Sequence, residues 1–148
     1  MASISQLDAV KIQARALIPV VKAVEAELGR EKTHRIVGRA IADSHAEFLS
    51  TRVKERNANP GETDDGLEYP AVSDIVEHTD GVFSSNVTKC GFAEYFRKKG
   101  EPEIGYLMTC GVDFAVNEAL RPNWEFRRTQ TLMQGASHCD VRYRLKKR

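Results

Sequence analysis

The apolar spacing of the first thirty residues constrains this chain more than any other feature. Apolar side chains recur three and four positions apart, which places them on one face of a helix. Gly29 is the expected stop at the C-terminal end, whereas Pro19 should kink the helix or split it near Ile18. The apolar positions are Leu7, Val10, Ala14, Leu17, Val21, Val24 and Leu28.

A second helix is predicted from Thr33, as its cap, to about Lys54. Its apolar face includes Val37, Ile41, Phe48 and Leu49. His45 falls on or beside that face. This histidine is interpreted either as a packed residue at the edge of the core or as a member of a site.

The C-terminal half changes to strand-like patterns. Asp80-Gly81 is a two-residue turn signal, and Pro102 is well placed as the first residue of a helix. The predicted elements are a hairpin of Asp74–Thr79 and Val82–Thr88, helices Gly91–Lys99 and Pro102–Leu120, and a second hairpin of Trp124–Leu132 and His138–Leu145. The fold class is therefore α+β, with N-terminal helices packed against a small antiparallel sheet of hairpins and two further helices.

A single domain over residues 1–148 is expected, because 148 residues suit one core. Asn57–Gly66 is a loop by composition, rich in Asn, Pro, Gly and Asp. It separates a helical part, 5–56, from a mixed part, 67–148. Neither part alone would bury much apolar surface.

Charge and targeting signals exclude several function classes. The net charge is +1 and 29% of residues are charged, so no overall field indicates nucleic acid or membrane as a partner. No stretch has transmembrane length, and the first residues lack the pattern of a secretory signal. Three widely spaced cysteines then read as free thiols in a reducing compartment, the cytoplasm.

The three cysteines are the first candidates for chemistry. Cys90 lies where a strand gives way to a helix, and the N-terminal turn of a helix favours a negative charge; packing at a tight junction is the alternative. Cys110 shares a helical stripe with polar side chains, which is either a site or a solvated face. That stripe is Glu103, Tyr106, Cys110, Asp113 and Asn117, and the opposite, core-facing stripe is Ile104, Leu107, Met108, Phe114 and Ala115.

Strand alternation in the final hairpin suggests which residues share a face. If both arms are strands, Arg128, Gln130 and Cys139 lie on the side covered by helices. A buried guanidinium needs an anion, either a substrate carboxylate or a structural partner such as Asp113 or Glu118. His138 and Asp140 lie on the opposite face with Thr129 and Thr131. Because consecutive strand residues point to opposite faces, a His138–Cys139 dyad is disfavoured.

Two stretches resemble the L-2-amino-thiazoline-4-carboxylic acid hydrolase family, over roughly Val87 to Tyr143. They are VTKCGFAEYFRKKGEPEIGYLMTCGVDFAVNEAL and the more specific RTQTLMQGASHCDVRYR. The second is similar to the family pattern of Arg-Thr-x-Thr, a glycine, then Cys-Asp-aromatic-Arg-Tyr. The matching residues are Arg128, Thr129, Thr131, Gly135, Cys139, Asp140, Arg142 and Tyr143. Val141 replaces the aromatic residue, which affects the expected shape of the pocket wall.

The resemblance implies ring-opening hydrolysis of a small cyclic amidine or thiazoline carboxylate. For this reaction a thiolate could attack the ring carbon directly and form a covalent intermediate, or a carboxylate could activate water. No cofactor is expected. We assign Cys139 and Cys110 as candidate nucleophiles, Cys90 as a third, and Asp113 as general base or amidinium partner. Arg128 would clamp the substrate carboxylate, and Gln130, Thr131, His138 and Asp140 would line the site.

Two other functions stay open from the sequence, a metal site built from the three cysteines and a non-catalytic module that binds a small ligand. A homo-oligomer formed through the N-terminal helices is also expected, because their apolar seam is long for this chain.

Overall fold

The computed structural model describes residues 4–52 and 69–147. The predicted helix end near Lys54 and the loop Asn57–Gly66 lie outside this part of the chain. The elements in order are α1 Gln6–Leu28, α2 Arg30–Arg52, β1 Ala71–Thr79, β2 Val82–Cys90, α3 Gly91–Lys98, α4 Pro102–Gly105, a π-helix Tyr106–Cys110, α5 Val112–Leu120, β3 Trp124–Arg127 and β4 Cys139–Leu145. The α+β class is confirmed.

Helix α1 starts where a capping serine satisfies its first turn and continues past its proline. The Ser5 hydroxyl oxygen accepts a hydrogen bond from the Asp8 amide at 3.1 Å, which is a standard N-terminal cap. The helix runs unbroken through Pro19, so of the two outcomes predicted there, a kink or a split, the split near Ile18 does not occur. Pro19 and Arg15 are both exposed, and water can therefore satisfy the Arg15 carbonyl that proline leaves without its helical donor.

A single glycine joins the first two helices. Gly29 has φ of 80° and its amide bonds to the Glu25 carbonyl, so the predicted stop is confirmed. Helix α2 begins directly afterwards at Arg30, and the prediction of Thr33 as its cap is wrong. Thr33 lies fully buried inside the helix, where its hydroxyl donates to the Gly29 carbonyl at 2.8 Å. The Gly29 carbonyl also accepts from the Thr33 amide at 3.1 Å, so the hydrogen bonding of α2 already starts at Gly29.

The four strands form one antiparallel sheet in the order β1-β2-β4-β3. The turn at Asp80-Gly81 joins β1 to β2 as predicted, although β1 begins earlier, at Ala71. Strand β4 lies between β2 and β3, and its Cys139 pairs with Val87 of β2. This pairing places Cys139 near the end of β2 that leads into α3.

The apolar seam of α1 packs into the core of its own chain. Ala14 and Val21 are fully buried together with side chains from α3, α4, the π-helix and the segment after β3. The buried cluster consists of Ala14, Val21, Ala93, Phe96, Ile104, Met108 and Met133. The seam is thus largely used within the chain, and self-association through these helices stays a prediction. Within the residues described, no helix is both long and apolar enough to cross a membrane.

Candidate functional site

Cys110 ends a π-helix that interrupts the predicted helix Pro102–Leu120. The Gly111 amide donates to the Tyr106 carbonyl at 2.7 Å, five residues back, as a π turn requires. The Thr109 hydroxyl donates to the Gly105 carbonyl at 2.8 Å and so occupies an acceptor of the α-helical ladder. The wide turn inserts an extra residue before α5, and π turns of this kind often occur at functional sites.

The extra residue also explains where the predicted core stripe fails. Ile104 and Met108, before the end of the π turn, are buried as expected. Phe114, after it, is 42% exposed, because the wider turn rotates α5 relative to an unbroken α-helix. Its ring instead packs edge-on against Phe126 at 5.1 Å between centroids. The sequence signals for this irregularity are the two glycines that flank it, Gly105 and Gly111.

Arg128 binds protein groups rather than standing open to a ligand. Its Nη1 donates to Asp113 Oδ2 at 2.5 Å, and its Nη2 donates to the Cys110 carbonyl at 2.7 Å. The guanidinium also lies near the rings of Phe114 and Phe126, at 5.4 and 5.6 Å from their centroids. Of the two partners considered for this buried arginine, the structure shows Asp113, while Glu118 pairs with Lys146.

The Asp113–Arg128 pair is asymmetric in exposure. The Arg128 side chain is 5% exposed and that of Asp113 43%. Burial raises the pKa of Asp113, whereas the Arg128 guanidinium and His45 oppose the rise. Burial is the largest of these influences, so the pKa of Asp113 lies above its ordinary value, while the ion pair with Arg128 favours the ionised carboxylate. Asp113 therefore offers a charged oxygen, Oδ1, that has no partner within the described chain.

The predicted strand Trp124–Leu132 ends early because the Asp140 side chain binds backbone amides that would otherwise extend the pairing with β4. Asp140 Oδ1 accepts from the amides of Thr129 and Gln130 at 2.9 and 2.8 Å, and Oδ2 accepts from the Thr129 hydroxyl at 2.6 Å. These bonds replace the next ladder pair after Arg127↔Arg142. Arg128 and Gln130 thus follow the end of β3, and the alternation argument for their common face is wrong, although Arg128 is still buried.

We expect Asp140→Asn to lower the free energy of unfolding by about 2 kcal/mol at pH 7, since asparagine accepts fewer and weaker bonds. Burial raises the pKa of Asp140, but the bonds from Thr129 and Gln130 outweigh it and lower the pKa. A lowered folded pKa stabilises the fold above the unfolded pKa, and the contribution disappears as pH falls through the folded value. Urea denaturation at pH 7 and pH 3 should therefore show a difference between the proteins that shrinks in acid. An equal difference at both pH values would contradict this role.

Of the candidate nucleophiles, Cys139 is buried and Cys110 is half-buried. Burial raises the pKa of Cys110 to about 12, and Arg128 and Cys139 both act on it electrostatically. Burial likewise raises the pKa of Cys139, whose sulfur accepts from the Leu132 amide at 3.2 Å and is also affected by Cys90. Cys90 itself ends β2 directly before α3, as predicted. Cys110 and Cys139 are therefore neutral at pH 7 in the resting protein.

The rate at which Cys110 is alkylated should show that its thiol is neutral in the folded protein. Because its pKa rises from 9.0 to about 12, the thiolate fraction at pH 7.5 is about a thousandfold smaller than for an ordinary cysteine. We expect iodoacetamide to label Cys110 very slowly, with a rate that climbs tenfold per pH unit through pH 10. Peptide mass spectrometry measures the rate, and the same thiol in urea-unfolded protein is the control. A plateau near pH 8 in the folded protein would contradict the assignment.

The remaining predicted site residues belong to the segment between β3 and β4. Thr131 is 1% exposed, and its hydroxyl and carbonyl close the turn that follows by bonding to Gln134. Gln130 donates to the His138 carbonyl at 3.1 Å, and His138 Nδ1 lies 2.9 Å from the Ser137 hydroxyl. The described residues show no hydrogen bond between His138 and the sulfur of Cys139.

The sequence also allowed a metal centre built from the three cysteines. Over residues 4–52 and 69–147, no group of three or more His, Cys, Asp or Glu side chains is arranged to hold a metal ion. The three-cysteine metal centre considered from the sequence thus gains no support from their placement.

Solved structures with a related fold have different descriptions. The phenol-responsive sensory domain of the transcription activator PoxR, solved with phenol, matches with a TM-score of 0.51 and 15% identity, covering 88% of this chain and 73% of that one. A trafficking protein particle complex subunit 3 from Naegleria fowleri, covalently bound to palmitic acid, matches with a TM-score of 0.49 and 10% identity, covering 93% of this chain and 97% of that one. At 15% identity the likeness to the sensory domain concerns the fold alone. No curated protein matches the chain.

The family comparison extends well beyond the two motif stretches. A family model described as L-2-amino-thiazoline-4-carboxylic acid hydrolase matches residues 9–143. The match includes α1 and α2, whose sequence alone was not diagnostic, as well as the segment with Cys110, Arg128, Cys139 and Asp140. With nearly every described element inside the matched region, the chain belongs to the L-2-amino-thiazoline-4-carboxylic acid hydrolase family.

Proposed function

We propose that this protein is a cysteine-dependent hydrolase that opens a small heterocycle, or cleaves a related C–N bond, in a substrate of the cyclic amidine or thiazoline carboxylate type. One observation carries the proposal. Arg128 donates hydrogen bonds both to Asp113 and to the Cys110 carbonyl, and these residues lie together with Cys139 inside the region that matches a hydrolase family.

The chemistry needs a nucleophile at the ring carbon that lies between nitrogen and sulfur. In the covalent route a cysteine sulfur bonds to this carbon, the bond from carbon to the ring sulfur breaks, and the ring sulfur leaves as a thiol after gaining a proton. Water then attacks the same carbon, releases the cysteine and leaves a ureido group. In the direct route Asp113 accepts the proton of an attacking water, and no bond to the protein forms.

The raised pKa values of Cys110 and Cys139 restrict the covalent route. A neutral thiol is a poor nucleophile, so a thiolate has to form once the substrate is bound. A protonated amidine would supply a positive charge beside the sulfur and favour the thiolate. Asp113 Oδ1 is suited to receive an amidinium, because it is charged and has no partner within the described residues.

The role of Arg128 follows from the bonds that it already makes and from its burial. Two of the five N–H groups of its guanidinium donate to Asp113 and to the Cys110 carbonyl, and only 5% of the side chain is exposed. Our proposed mechanism therefore uses Arg128 as a positioning residue for Cys110 rather than as the clamp for a substrate carboxylate.

Turnover of L-2-amino-thiazoline-4-carboxylate, other cyclic amidines and lactams by the wild type and by each Cys→Ser variant tests the proposal. We expect ring opening by the wild type, and a loss of at least about a hundredfold in kcat for Cys110→Ser or Cys139→Ser. Cys90→Ser serves as the comparison, since Cys90 lies at a strand–helix junction. Full activity in all three variants would remove cysteine from the mechanism, and no turnover of any compound by the wild type would remove hydrolysis.

A non-catalytic module that binds a small ligand is the second candidate. Cys110 and Cys139 are both neutral thiols in the resting protein. A protein that only binds a ligand needs no reactive thiol, so this neutral state favours the second candidate. The sensory domain with a related fold was solved with phenol, which gives this candidate a structural parallel. A compound that binds in calorimetry and is recovered unchanged after prolonged incubation would favour this candidate over the hydrolase.

A further inference from the structure

Asn117 is a buried polar residue near the middle of α5, with 6% of its surface exposed. Its Oδ1 accepts from the Tyr143 hydroxyl at 2.8 Å and from Arg121 Nη1 at 3.0 Å, and its Nδ2 donates to the Asp113 carbonyl at 2.8 Å. Because an arginine only donates and a carbonyl only accepts, these partners fix the orientation of the amide and make the Tyr143 hydroxyl a donor. The Asn117 side chain is therefore held by bonds on both sides of its amide.

The Tyr143 hydroxyl reaches Asn117 from a ring that is itself fixed in the sheet. Tyr143 of β4 lies opposite Phe83 of β2 and Phe126 of β3, and its ring centroid is 6.1 and 5.1 Å from theirs. Burial raises the pKa of Tyr143 to about 12, so the hydroxyl keeps the proton that it donates to Asn117. The bond thus ties α5 to an inner strand of the sheet.

The rotation of α5 about its axis decides where the Asp113 side chain points. Backbone hydrogen bonds set the pitch of a helix, but they do not decide which of its faces meets a sheet, and α5 begins directly after the wide turn that ends at Cys110. Asn117 is one helical turn after Asp113 and lies on the same face. The bond from Tyr143 to Asn117 holds this face toward β4, and with it the direction of the Asp113 side chain.

The contacts of Asn117 and Asp113 close into a circle that passes through the sheet. The Asp113 carboxylate accepts from Arg128, and the Arg128 guanidinium lies 5.6 Å from the ring centroid of Phe126. Phe126 packs against Tyr143, which donates to Asn117. Because each member contacts the next, a shift of α5 at Asn117 would also move Asp113 relative to Arg128.

We propose that Asn117 is a positioning residue of the ring-opening site, an inference that rests on the hydrolase function proposed above. Through Tyr143, Asn117 holds α5 in the rotation at which the Asp113 carboxylate meets Arg128, whose Nη2 donates to the Cys110 carbonyl. Asn117 acts through Asp113 and has no contact with the substrate in this scheme. Such placement matters because a displacement of about 1 Å can lower a rate about a hundredfold.

The test measures kcat/KM for L-2-amino-thiazoline-4-carboxylate in Tyr143→Phe, Asn117→Ala and the double variant. Tyr143→Phe removes only the hydroxyl and keeps the aromatic ring. We expect kcat/KM to fall about tenfold in Tyr143→Phe and about a hundredfold in Asn117→Ala. The double variant should be no slower than Asn117→Ala, because Tyr143 then has no partner to act through. Tyr95→Phe, which removes a hydroxyl from α3 outside these contacts, should keep the wild-type value.

The pH profile separates positioning of Asp113 from a general loss of stability. Burial raises the pKa of Asp113, and the bond to Arg128 opposes the rise. When Asp113 moves away from Arg128, this opposing influence weakens and its pKa rises further. Both proposed routes use the ionised carboxylate, so the acid limb of kcat/KM should move to higher pH in Tyr143→Phe and Asn117→Ala, and not in Tyr95→Phe.

Tyr143→Phe decides the test by itself if Asn117→Ala folds poorly. If the wild type turns the probe over while Tyr143→Phe keeps its rate and its acid limb, Asn117 is not a positioning residue and the hydrolase function stands. Losses that multiply in the double variant, or that match the unfolded fraction seen in circular dichroism melts without a change of the limb, would overturn the inference in the same way. If the wild type turns over no cyclic amidine, the hydrolase function fails and this inference fails with it.

Discussion

Arg128→Met is expected to lower the free energy of unfolding by about 3 kcal/mol, and the melting temperature by about 6–12 °C for a domain of this length. The substitution removes the counter-charge of Asp113 and the donor to the Cys110 carbonyl in one step. Because 43% of the Asp113 side chain meets solvent, water offsets part of the loss, which places the effect at the low end for a buried pair. Urea denaturation followed by circular dichroism measures it.

Arg127→Met is the matched control for this substitution. Arg127 is the adjacent residue and also pairs with an acidic side chain, Glu125, but its own side chain is 72% exposed. A surface ion pair of this kind contributes about 0.5 kcal/mol. Equal losses for Arg127→Met and Arg128→Met would contradict a special role for the buried pair.

The Arg128→Lys variant distinguishes two roles for Arg128, the positioning of Cys110 and the binding of a substrate carboxylate. Lysine keeps the charge but cannot bond to Asp113 and the Cys110 carbonyl with the same planar geometry. We expect a stability loss of about 1.5 kcal/mol and a changed rate of Cys110 alkylation. A protein that melts like the wild type, yet shows a raised KM for carboxylate substrates only, would restore the clamp interpretation.

The elements that sequence patterns predicted correctly are those set by local chemistry. Gly29 ends α1 because few residues other than glycine adopt its positive φ, and Asp80-Gly81 closes a hairpin. The boundary between Cys90 and Gly91 and the helix start at Pro102 depend on neighbouring residues in the same way. Each of these signals extends over a few residues, so a single sequence contains it in full.

The missed features depend on side chains that replace backbone bonds. Thr109 occupies the Gly105 carbonyl and accompanies the π turn, and Asp140 binds the amides that would have extended β3. Helical and strand periodicity assume that the backbone ladder continues, and so they predicted one helix over Pro102–Leu120 and a strand to Leu132. Cys110, Asp113 and Arg128 are nevertheless brought together, because Arg128 donates both to Asp113 and to the Cys110 carbonyl.

Gly105→Ala should destabilise the protein by about 3 kcal/mol, which is the upper part of the usual range for an overpacked core. A Cβ at this position would lie 2.6 Å from Phe96 Cβ, nearer still to Phe96 Cγ, and 2.8 Å from Met133 Sδ. Phe96 and Met133 are at most 1% exposed, and the crowded Phe96 atoms are close to the backbone, so they cannot rotate away. The better helix propensity of alanine recovers at most about 1 kcal/mol.

Gly38→Ala is the control for helix propensity. Its added Cβ would meet only Leu107 Cδ2, at 3.0 Å, which is the far end of a flexible side chain. We therefore expect Gly38→Ala to change the free energy of unfolding by less than about 1 kcal/mol in either direction, whereas Gly105→Ala melts about 6–12 °C earlier. Since Gly105 directly precedes the π-helix, the shifted backbone should also change the alkylation rate of Cys110. A Gly105→Ala protein with wild-type stability would show that Phe96 and Met133 can repack, and that the close approach of α3 and α4 is not required.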